Sequence, residues 1–358
     1  MKSAPRGTPA LSRRELLTGM LPASFMAATS STGPTISTMT GPVQCRSFGI
    51  TLIHEHVLLF SGPRLENPRY SPIPEDRRSE SIDFAVSLLN DAARVGIKTL
   101  VDLTPHRPID LYQQIARRTA VNIIPSTGFY RRAKIPKSLA NIEDEKQMEE
   151  RMHGEVAEGI DRTPIRAGII KVATEGAPLT DWEKKVFRAA ARVQKRTGVP
   201  IATHSGPRSA PEQHDLLLRS GADPHRIVLS HMDVGTASRT EHFEALLPIL
   251  RQGSYFEVDT FGQDFYTPWS DLTAFLHFFC DAGFANRLFI SVDCNWRWEN
   301  RLRLFEGAEA PTRDPNASKR TYAYMITSAL PRLLESGFNR KEIDTFLIEN
   351  PARLFCGL

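Results

Sequence analysis

Short apolar runs rich in β-branched residues alternate with longer segments of helical periodicity from about residue 49 onward. Continuous apolar runs of this length predict strands buried on both faces, as in a parallel sheet that helices cover. Helical periodicity is clearest over residues 81–95, 182–197 and 241–252. Eight apolar runs are found, over residues 50–53, 97–103, 121–127, 167–173, 199–203, 226–230, 255–259 and 288–292.

Eight βα units in about 300 residues predict an α/β protein with a single (β/α)8 TIM barrel. The periodicity alone leaves a doubly wound sheet open as the alternative. No glycine-rich phosphate-binding loop follows the first predicted strand, which disfavours that alternative. We therefore expect one barrel domain over residues 49–358.

The N-terminal residues differ in character from the rest of the chain. Ser12-Arg13-Arg14-Glu15-Leu16-Leu17 is followed by a weakly apolar stretch to about residue 28, a pattern typical of twin-arginine export signals. We expect residues 1–32 to be such a signal, and the mature protein to be periplasmic or secreted. A disordered tail that happens to contain two arginines would leave the protein cytoplasmic. Residues 29–40 are rich in Ser, Thr, Gly and Pro, so residues 33–48 are interpreted as a linker and N-terminal lead-in.

Composition excludes several classes of partner. The net charge of +4 comes mostly from the N-terminal 32 residues, and no Lys/Arg run is interleaved with aromatic residues, so no nucleic-acid partner is expected. No run of 18 apolar residues follows the N-terminus, so no membrane span is expected in the mature protein.

The four cysteines are scattered without a zinc-binding spacing. We interpret them as core or free thiols, although export would permit one oxidised pair whose identity the sequence does not give.

Five of the predicted strands end at side chains that could bind a metal ion. Two histidines end the first strand on one face, and Glu55 between them points away because side chains alternate. A single strand-end histidine is more often structural, but barrel active sites lie at the C-terminal strand ends, and convergence there favours a metal centre. The residues are His54, His56, Lys171, His204, His231 and Asp293.

Lys171 lies inside an apolar run, where an unpaired ammonium costs several kcal/mol. A Schiff-base lysine or a salt-bridged lysine would be the ordinary interpretation of such a residue. The surrounding histidines instead favour carboxylation by carbon dioxide, which would give an N6-carboxylysine able to bridge two metal ions.

Together these motifs resemble the phosphotriesterase-like members of the amidohydrolase superfamily, which include phosphotriesterase-related proteins and lactonases. The resemblance covers residues 49–356. It rests on Leu52-Ile53-His54-Glu55-His56, Gly168-Ile169-Ile170-Lys171-Val172-Ala173-Thr174, Thr203-His204, Ser230-His231-Met232-Asp233, Val292-Asp293 and Glu349-Asn350-Pro351-Ala352-Arg353.

The resemblance implies two divalent metal ions. His54, His56 and Asp293 would hold the more buried ion, His204 and His231 the more exposed one, and carboxylated Lys171 with a hydroxide would bridge them. Such ions lower the pKa of the bridging water, and Asp293 could accept its proton during attack. Zinc is the first expectation, and manganese, cobalt or iron would fit the same ligands.

Substrate selection depends on the loops. Tyr130 is a candidate electrophile or orienting donor by its resemblance to lactonases, or else a packed aromatic of the rim. Arg131 and Arg132 would favour an anionic substrate if they lie inside the barrel mouth. Asp259 could bind substrate, but a structural role is favoured.

The segment after the eighth strand departs most from the family and runs over residues 294–319. Its Trp296, Arg297 and Trp298 suggest a substrate pocket with apolar walls and one cationic contact. They could equally pack on the barrel rim.

The sequence thus predicts a metal-dependent hydrolase of a small-molecule ester, a lactone or related carboxylic ester, with phosphotriesters as promiscuous substrates. A dedicated organophosphate triester hydrolase is the enzymatic alternative. A catalytically silent barrel that binds a small ligand is the other. Barrels of this family often pair, so a homodimer is one expected state.

Overall fold

The computed structural model describes residues 33–58, 73–235, 240–264, 267–299, 302–305 and 321–357. The predicted export signal, residues 1–32, lies outside these ranges. Contacts among the described residues group Pro34–Leu358 as one unit.

Eight parallel strands form one sheet in sequence order. They are numbered from β3 to β10 because two short strands precede them in the chain. All eight predicted strands are found, with ends shifted by at most a few residues. Their bounds are β3 Ile50–Glu55, β4 Ile97–Asp102, β5 Asn122–Phe129, β6 Ile169–Ala173, β7 Ile201–His204, β8 Ile227–Ser230, β9 Tyr255–Val258 and β10 Leu288–Ile290.

The sheet closes where the chain leaving β10 meets β3. Asp293 N donates to His54 O at 3.2 Å, and His56 N donates to Cys294 O at 3.1 Å. Ser291 Oγ accepts from His54 N at 3.1 Å. These bonds join the two edges of the sheet, and the predicted (β/α)8 TIM barrel is confirmed.

Helices follow the strands and cover the outside of the barrel. The described α-helices are Arg78–Arg94, Ile109–Ala116, Lys137–Ala140, Glu145–Ala157, Asp181–Thr197, Ala210–Arg219, Thr240–Glu244, Leu247–Arg251, Trp269–Asp281, Leu330–Glu335, Arg340–Asp344 and Asn350–Cys356. Short π-helical segments over Met325–Ala329 and Thr345–Glu349 lead directly into the helices Leu330–Glu335 and Asn350–Cys356. Short 3-10 turns lie at Cys45–Ser47, Glu75–Arg77, Arg132–Lys134, Ile160–Arg162, Pro224–Arg226 and Ala285–Arg287.

Two of the three helical segments singled out by periodicity are confirmed as single helices, and the third is not. Residues 241–252 form two short helices, Thr240–Glu244 and Leu247–Arg251. Pro248 lies in the first turn of the second helix. Proline there cannot donate the backbone bond that would continue the first helix, so the apolar pattern persists across a break.

The segment interpreted as a linker and lead-in is instead folded against the barrel. β1, Thr35–Thr38, and β2, Gly41–Gln44, form an antiparallel hairpin. Ile36 packs in one cluster with barrel residues Ile124 and Ile169 and with Phe355 of the C-terminal helix. The hairpin and that helix therefore cover the N-terminal end of the barrel, opposite the predicted site.

The interpretation of all four cysteines as core or free thiols is wrong for two of them. Cys45 and Cys356 form a disulfide across 311 positions of sequence, with Cα atoms 6.1 Å apart. Cys280 and Cys294 are free. The sequence could not choose this pair because the two residues meet only after the barrel has closed.

Within the part of the chain that is described, no helix has the length and apolar composition needed to cross a lipid bilayer.

The disulfide should stabilise the fold mainly by restraining the unfolded chain. Cys45→Ser should therefore lower the free energy of unfolding by about 2 to 4 kcal/mol, measured by denaturant unfolding. The free thiol Cys280 offers a matched control, since Cys280→Ser removes a sulfur without removing a crosslink. Equal stability of the two variants and the parent protein would contradict this role.

Candidate metal centre

The six side chains predicted to bind metal converge at the C-terminal ends of the strands. His54 lies on β3 with His56 directly after it, Lys171 on β6 and His204 at the end of β7. His231 follows β8, and Asp293 follows β10 by three residues. His231 and Asp293 adopt left-handed backbone conformations, with φ of 59° and 51°. Such conformations are uncommon for residues with a side chain and concentrate at functional sites.

One group of potential ligands joins β3 to the chain after β10. Atoms of His54, His56 and Asp293 that could bind a metal all lie within 4.8 Å of one another. His56 Nε2 is 3.2 Å from Asp293 Oδ1. Two imidazoles and one carboxylate with this spacing could hold one divalent ion.

His204 and His231 form a second group. His204 Nδ1 and His231 Nε2 face each other at 2.7 Å. The rings of His54 and His231 have centroids 4.8 Å apart, and Lys171 Nζ is 3.1 Å from His54 Nε2. Lys171 therefore lies beside His54, the residue of the first group that approaches the second.

β5 approaches the Lys171 backbone so closely that only glycine fits. A Cβ built on Gly128 would lie 1.8 Å from Lys171 O, and φ at Gly128 is +127°. A side chain at this position would push apart the two strands that hold the lysine in place.

Hydrogen bonds to Nδ1 leave Nε2 of three histidines available as ligand atoms. Asp259 Oδ1 accepts from His231 Nδ1 at 2.8 Å, and Glu257 Oε2 accepts from His54 Nδ1 at 2.7 Å. His56 Nδ1 is 2.7 Å from Thr104 Oγ1. Partners of this kind fix the tautomer and orientation of metal-binding histidines. The residues therefore fit a two-metal centre.

Asp259 also lies 3.1 Å from His54 Nδ1 through Oδ2. Both oxygens thus face Nδ1 atoms, so Asp259 orients histidine side chains. The sequence favoured a structural role for Asp259 but did not indicate this one. Glu257 was missed by the sequence analysis. The spacing of Glu257 and Asp259 could have indicated it, because two carboxylates two positions apart at the end of a strand share one face.

Burial lowers the pKa of Lys171 from 10.5 to about 8, although Glu257, Asp293 and Asp259 act in the opposite direction. Burial, together with His231 and Arg131, holds the pKa of His204 well below its usual range. His204 is therefore held in its neutral form, which is the form that binds metal, and a larger fraction of Lys171 is in the neutral form that reacts with carbon dioxide than in an exposed lysine.

Glu55 does point away from the two histidines, as expected, and its carboxylate holds the segment that carries Asp293. Oε1 accepts from Ser291 Oγ at 2.8 Å and from Val292 N at 3.0 Å. Oε2 accepts from Cys294 N at 2.6 Å. Burial raises the pKa of Glu55 to about 8, while these three donors act to lower it. The bonds thus offset part of the cost of burying the carboxylate.

The structure places the candidate substrate residues in different environments. The ring of Tyr130 lies edge-on to His204, with centroids 5.2 Å apart, so it borders the site. Arg131 Nη2 is 2.6 Å from His204 Nε2, so this arginine also borders the site. Arg132 instead pairs with Glu143 and stacks over Trp182.

The interpretation of Trp296 as a pocket wall is wrong. Trp296 is 1% exposed, donates through Nε1 to Val57 O at 3.1 Å and packs edge-on against Phe84. It belongs to the hairpin of β11, Trp296–Glu299, and β12, Leu302–Phe305. The side chains of Arg297 and Trp298, and residues 300–301 and 306–319 of the predicted loop, lie outside the described part of the chain.

A closed parallel barrel with ionisable side chains gathered at its C-terminal strand ends is the architecture of barrel enzymes. The model of the phosphotriesterase family matches residues 34–355. The chain therefore belongs to the phosphotriesterase family and is a hydrolase of that family.

Individual relatives agree with this assignment. A phosphotriesterase homology protein of Escherichia coli is 30% identical over 312 residues, covering 86% of this chain and 98% of its own. An aryldialkylphosphatase of Saccharolobus solfataricus is 28% identical, covering 87% of this chain and 96% of its own. The crystal structure of a mutant PTE-like lactonase from Deinococcus radiodurans is similar with a TM-score of 0.77 and 31% identity, covering 90% of this chain and all of the other.

Glu55→Gln should both destabilise the protein and reduce its metal content. The new amide would point N–H groups at backbone N–H donors, and a lost buried acceptor costs about 1 to 3 kcal/mol. Asp293 would lose its position because Val292 and Cys294 flank it. Thermal unfolding and elemental analysis measure the two effects.

The exposed Glu158 provides the control, because Glu158→Gln makes the same chemical change on the surface. Unchanged metal content and melting temperature in Glu55→Gln would show that Glu55 does not position Asp293.

Proposed function

We propose that this protein is a binuclear metal-dependent hydrolase that cleaves the ester bond of a lactone or related carboxylic ester. The observation that carries the proposal is the convergence of six ligand-type side chains from five strands on one barrel mouth. Three of the four histidines have Nδ1 engaged by an orienting partner. A barrel that only bound a small ligand would not need this arrangement.

His54, His56 and Asp293 would hold one ion, and His204 and His231 the other. Two divalent ions, zinc first and manganese, cobalt or iron as alternatives, would supply an activated water and polarise the scissile carbonyl. Asp293, whose side chain is 18% exposed, is the carboxylate placed to accept a proton from that water. The ring of Tyr130 beside His204 borders the space where the carbonyl would lie.

Carboxylation of Lys171 would join the two groups of ligands. The neutral amine adds to carbon dioxide, forming an N–C bond and releasing one proton, and the product is an anionic carbamate. The lowered pKa of Lys171 supports this step, since a larger fraction of the amine is neutral near neutral pH. The carbamate would also bring negative charge between two cations in place of a buried ammonium.

Relatives bear names of both lactonases and phosphotriester hydrolases, so the two substrate classes must be compared directly. Purified protein loaded with zinc should hydrolyse γ- and δ-lactones with a larger kcat/KM than an aryl dialkyl phosphotriester. A large advantage for the triester would instead favour a dedicated phosphotriesterase. Turnover of neither class by protein that holds two metal ions would favour the ligand-binding alternative.

Lys171→Ala should lose most of its metal and most of its lactonase activity, and short carboxylic acids added to the assay should restore part of the activity. Metal per chain by elemental analysis and initial rates with and without propionate measure this. The exposed Lys146 gives the control variant Lys146→Ala. Full activity of Lys171→Ala without any additive would contradict the bridging role.

We further propose that the protein is exported through its N-terminal twin-arginine pattern. The Cys45–Cys356 disulfide supports this, since disulfides persist mainly in oxidising compartments. Replacing Arg13 and Arg14 with lysine should shift the protein from the periplasmic to the cytoplasmic fraction, and an unchanged distribution would contradict export.

A further inference from the structure

Arg131 and Arg132 are adjacent in sequence but point to different parts of the molecule. Arg131 is the last residue before the 3-10 turn Arg132–Lys134, and its backbone angles are φ −50° and ψ 130°. Its guanidinium reaches His204 Nε2 at 2.6 Å, whereas Arg132 donates to Ala140 O at 3.0 Å and pairs with Glu143. Only the first of the two cations therefore borders the metal ligands.

The charge of Arg131 is only partly balanced. Among the described residues, its carboxylate neighbour is Glu175, with Nε and Oε2 3.8 Å apart, and Glu175 is 48% exposed. Arg131 Nε is itself buried and forms no hydrogen bond. A forked donor group with a free N–H, held at the mouth of the barrel, is suited to bind an oxyanion.

The contact with His204 is incompatible with metal binding by that residue. A guanidinium can only donate, so the contact requires an unprotonated Nε2 on His204. A ligand role through Nδ1, the atom that faces His231, requires the proton on Nε2 instead. The Nε2 proton and the guanidinium would then repel each other. Arg131 would have to release His204 Nε2 when the centre is loaded, and its donors, which lie beside the strand-end histidines, would then be free for another acceptor.

We propose that Arg131 selects substrates that carry an anionic group next to the scissile bond. The class is an acyl compound bearing a carboxylate, sulfonate or phosphate, bound through charge-assisted hydrogen bonds from the guanidinium. This inference rests on the proposed hydrolase function and narrows its substrate class from lactones in general to anionic ones.

A matched pair of γ-lactones tests the proposal, one with a carboxylate on the carbon next to the ring oxygen and one with a carboxamide there. Zinc-loaded parent protein should prefer the carboxylate lactone in kcat/KM by about 10- to 100-fold, the range expected for a charge-assisted pair. In Arg131→Gln this ratio should fall to near one, and Arg131→Lys should retain part of it. The control Arg132→Gln should keep the ratio of the parent protein.

Binding of the ring-opened hydroxy-dicarboxylate product, measured by calorimetry, gives a second readout that needs no turnover. Its Kd should rise about tenfold in Arg131→Gln, with two metal ions per chain retained. Equal loss of kcat/KM for both lactones, or an unchanged Kd, would overturn the assignment. Hydrolysis of neither lactone by the parent protein would contradict the proposed function. Hydrolysis of both without a carboxylate preference would contradict only the role of Arg131.

Discussion

The site depends on one buried carboxylate that closes the barrel. Glu55 lies between the two histidines of β3, and its oxygens accept hydrogen bonds from Ser291, Val292 and Cys294. Asp293 lies between two of these donors and adopts a left-handed backbone conformation, which an isolated chain would rarely populate. The cost of that conformation is compensated by the surrounding bonds. The same contact that joins the first and last strands therefore brings Asp293 within 3.2 Å of His56.

The next strands repeat this use of buried carboxylates. Asp233, two residues after His231, accepts from Thr260 N at 3.0 Å, and burial raises its pKa to about 7. This bond holds the chain that carries Asp259, which in turn orients His231. His231 and His56 are thus held by groups on neighbouring strands, and His54 by Glu257 of β9, so the barrel has to close before these candidate ligands can align. Such a network also places several acidic groups around Lys171, which favours the approach of divalent cations.

The sequence allowed the barrel and the convergence of the six candidate ligands to be predicted because both depend on local spacing. A strand has a period of two, and its last residue faces the mouth of the barrel, so the order along the chain is sufficient to place His204 or His231.

The hairpin of residues 35–44 was missed because its Ser/Thr/Gly/Pro composition also suits a linker. The buried position of Ile36 depends on its contact with Ile124 and Phe355, which are distant in the sequence. Cys45 and Cys356 meet through the same long-range packing. Trp296 was placed in the pocket because nothing local shows that its indole donates to Val57 O.

The two arginines after Tyr130 cannot be distinguished in the sequence and differ only in the structure. Their side chains are chemically identical, and the sequence gives no reason to separate them. The separation comes from the backbone, because ψ of 130° at Arg131 is followed by a 3-10 turn that begins at Arg132. The two successive side chains therefore leave the strand end in different directions. Arg132 donates to the backbone carbonyl of Ala140, and Glu143 balances its charge. Arg131 remains beside the ligands with an incomplete set of partners. Strand ends therefore fix the chemistry of this barrel, and the direction in which each loop leaves its strand decides which charges the substrate meets.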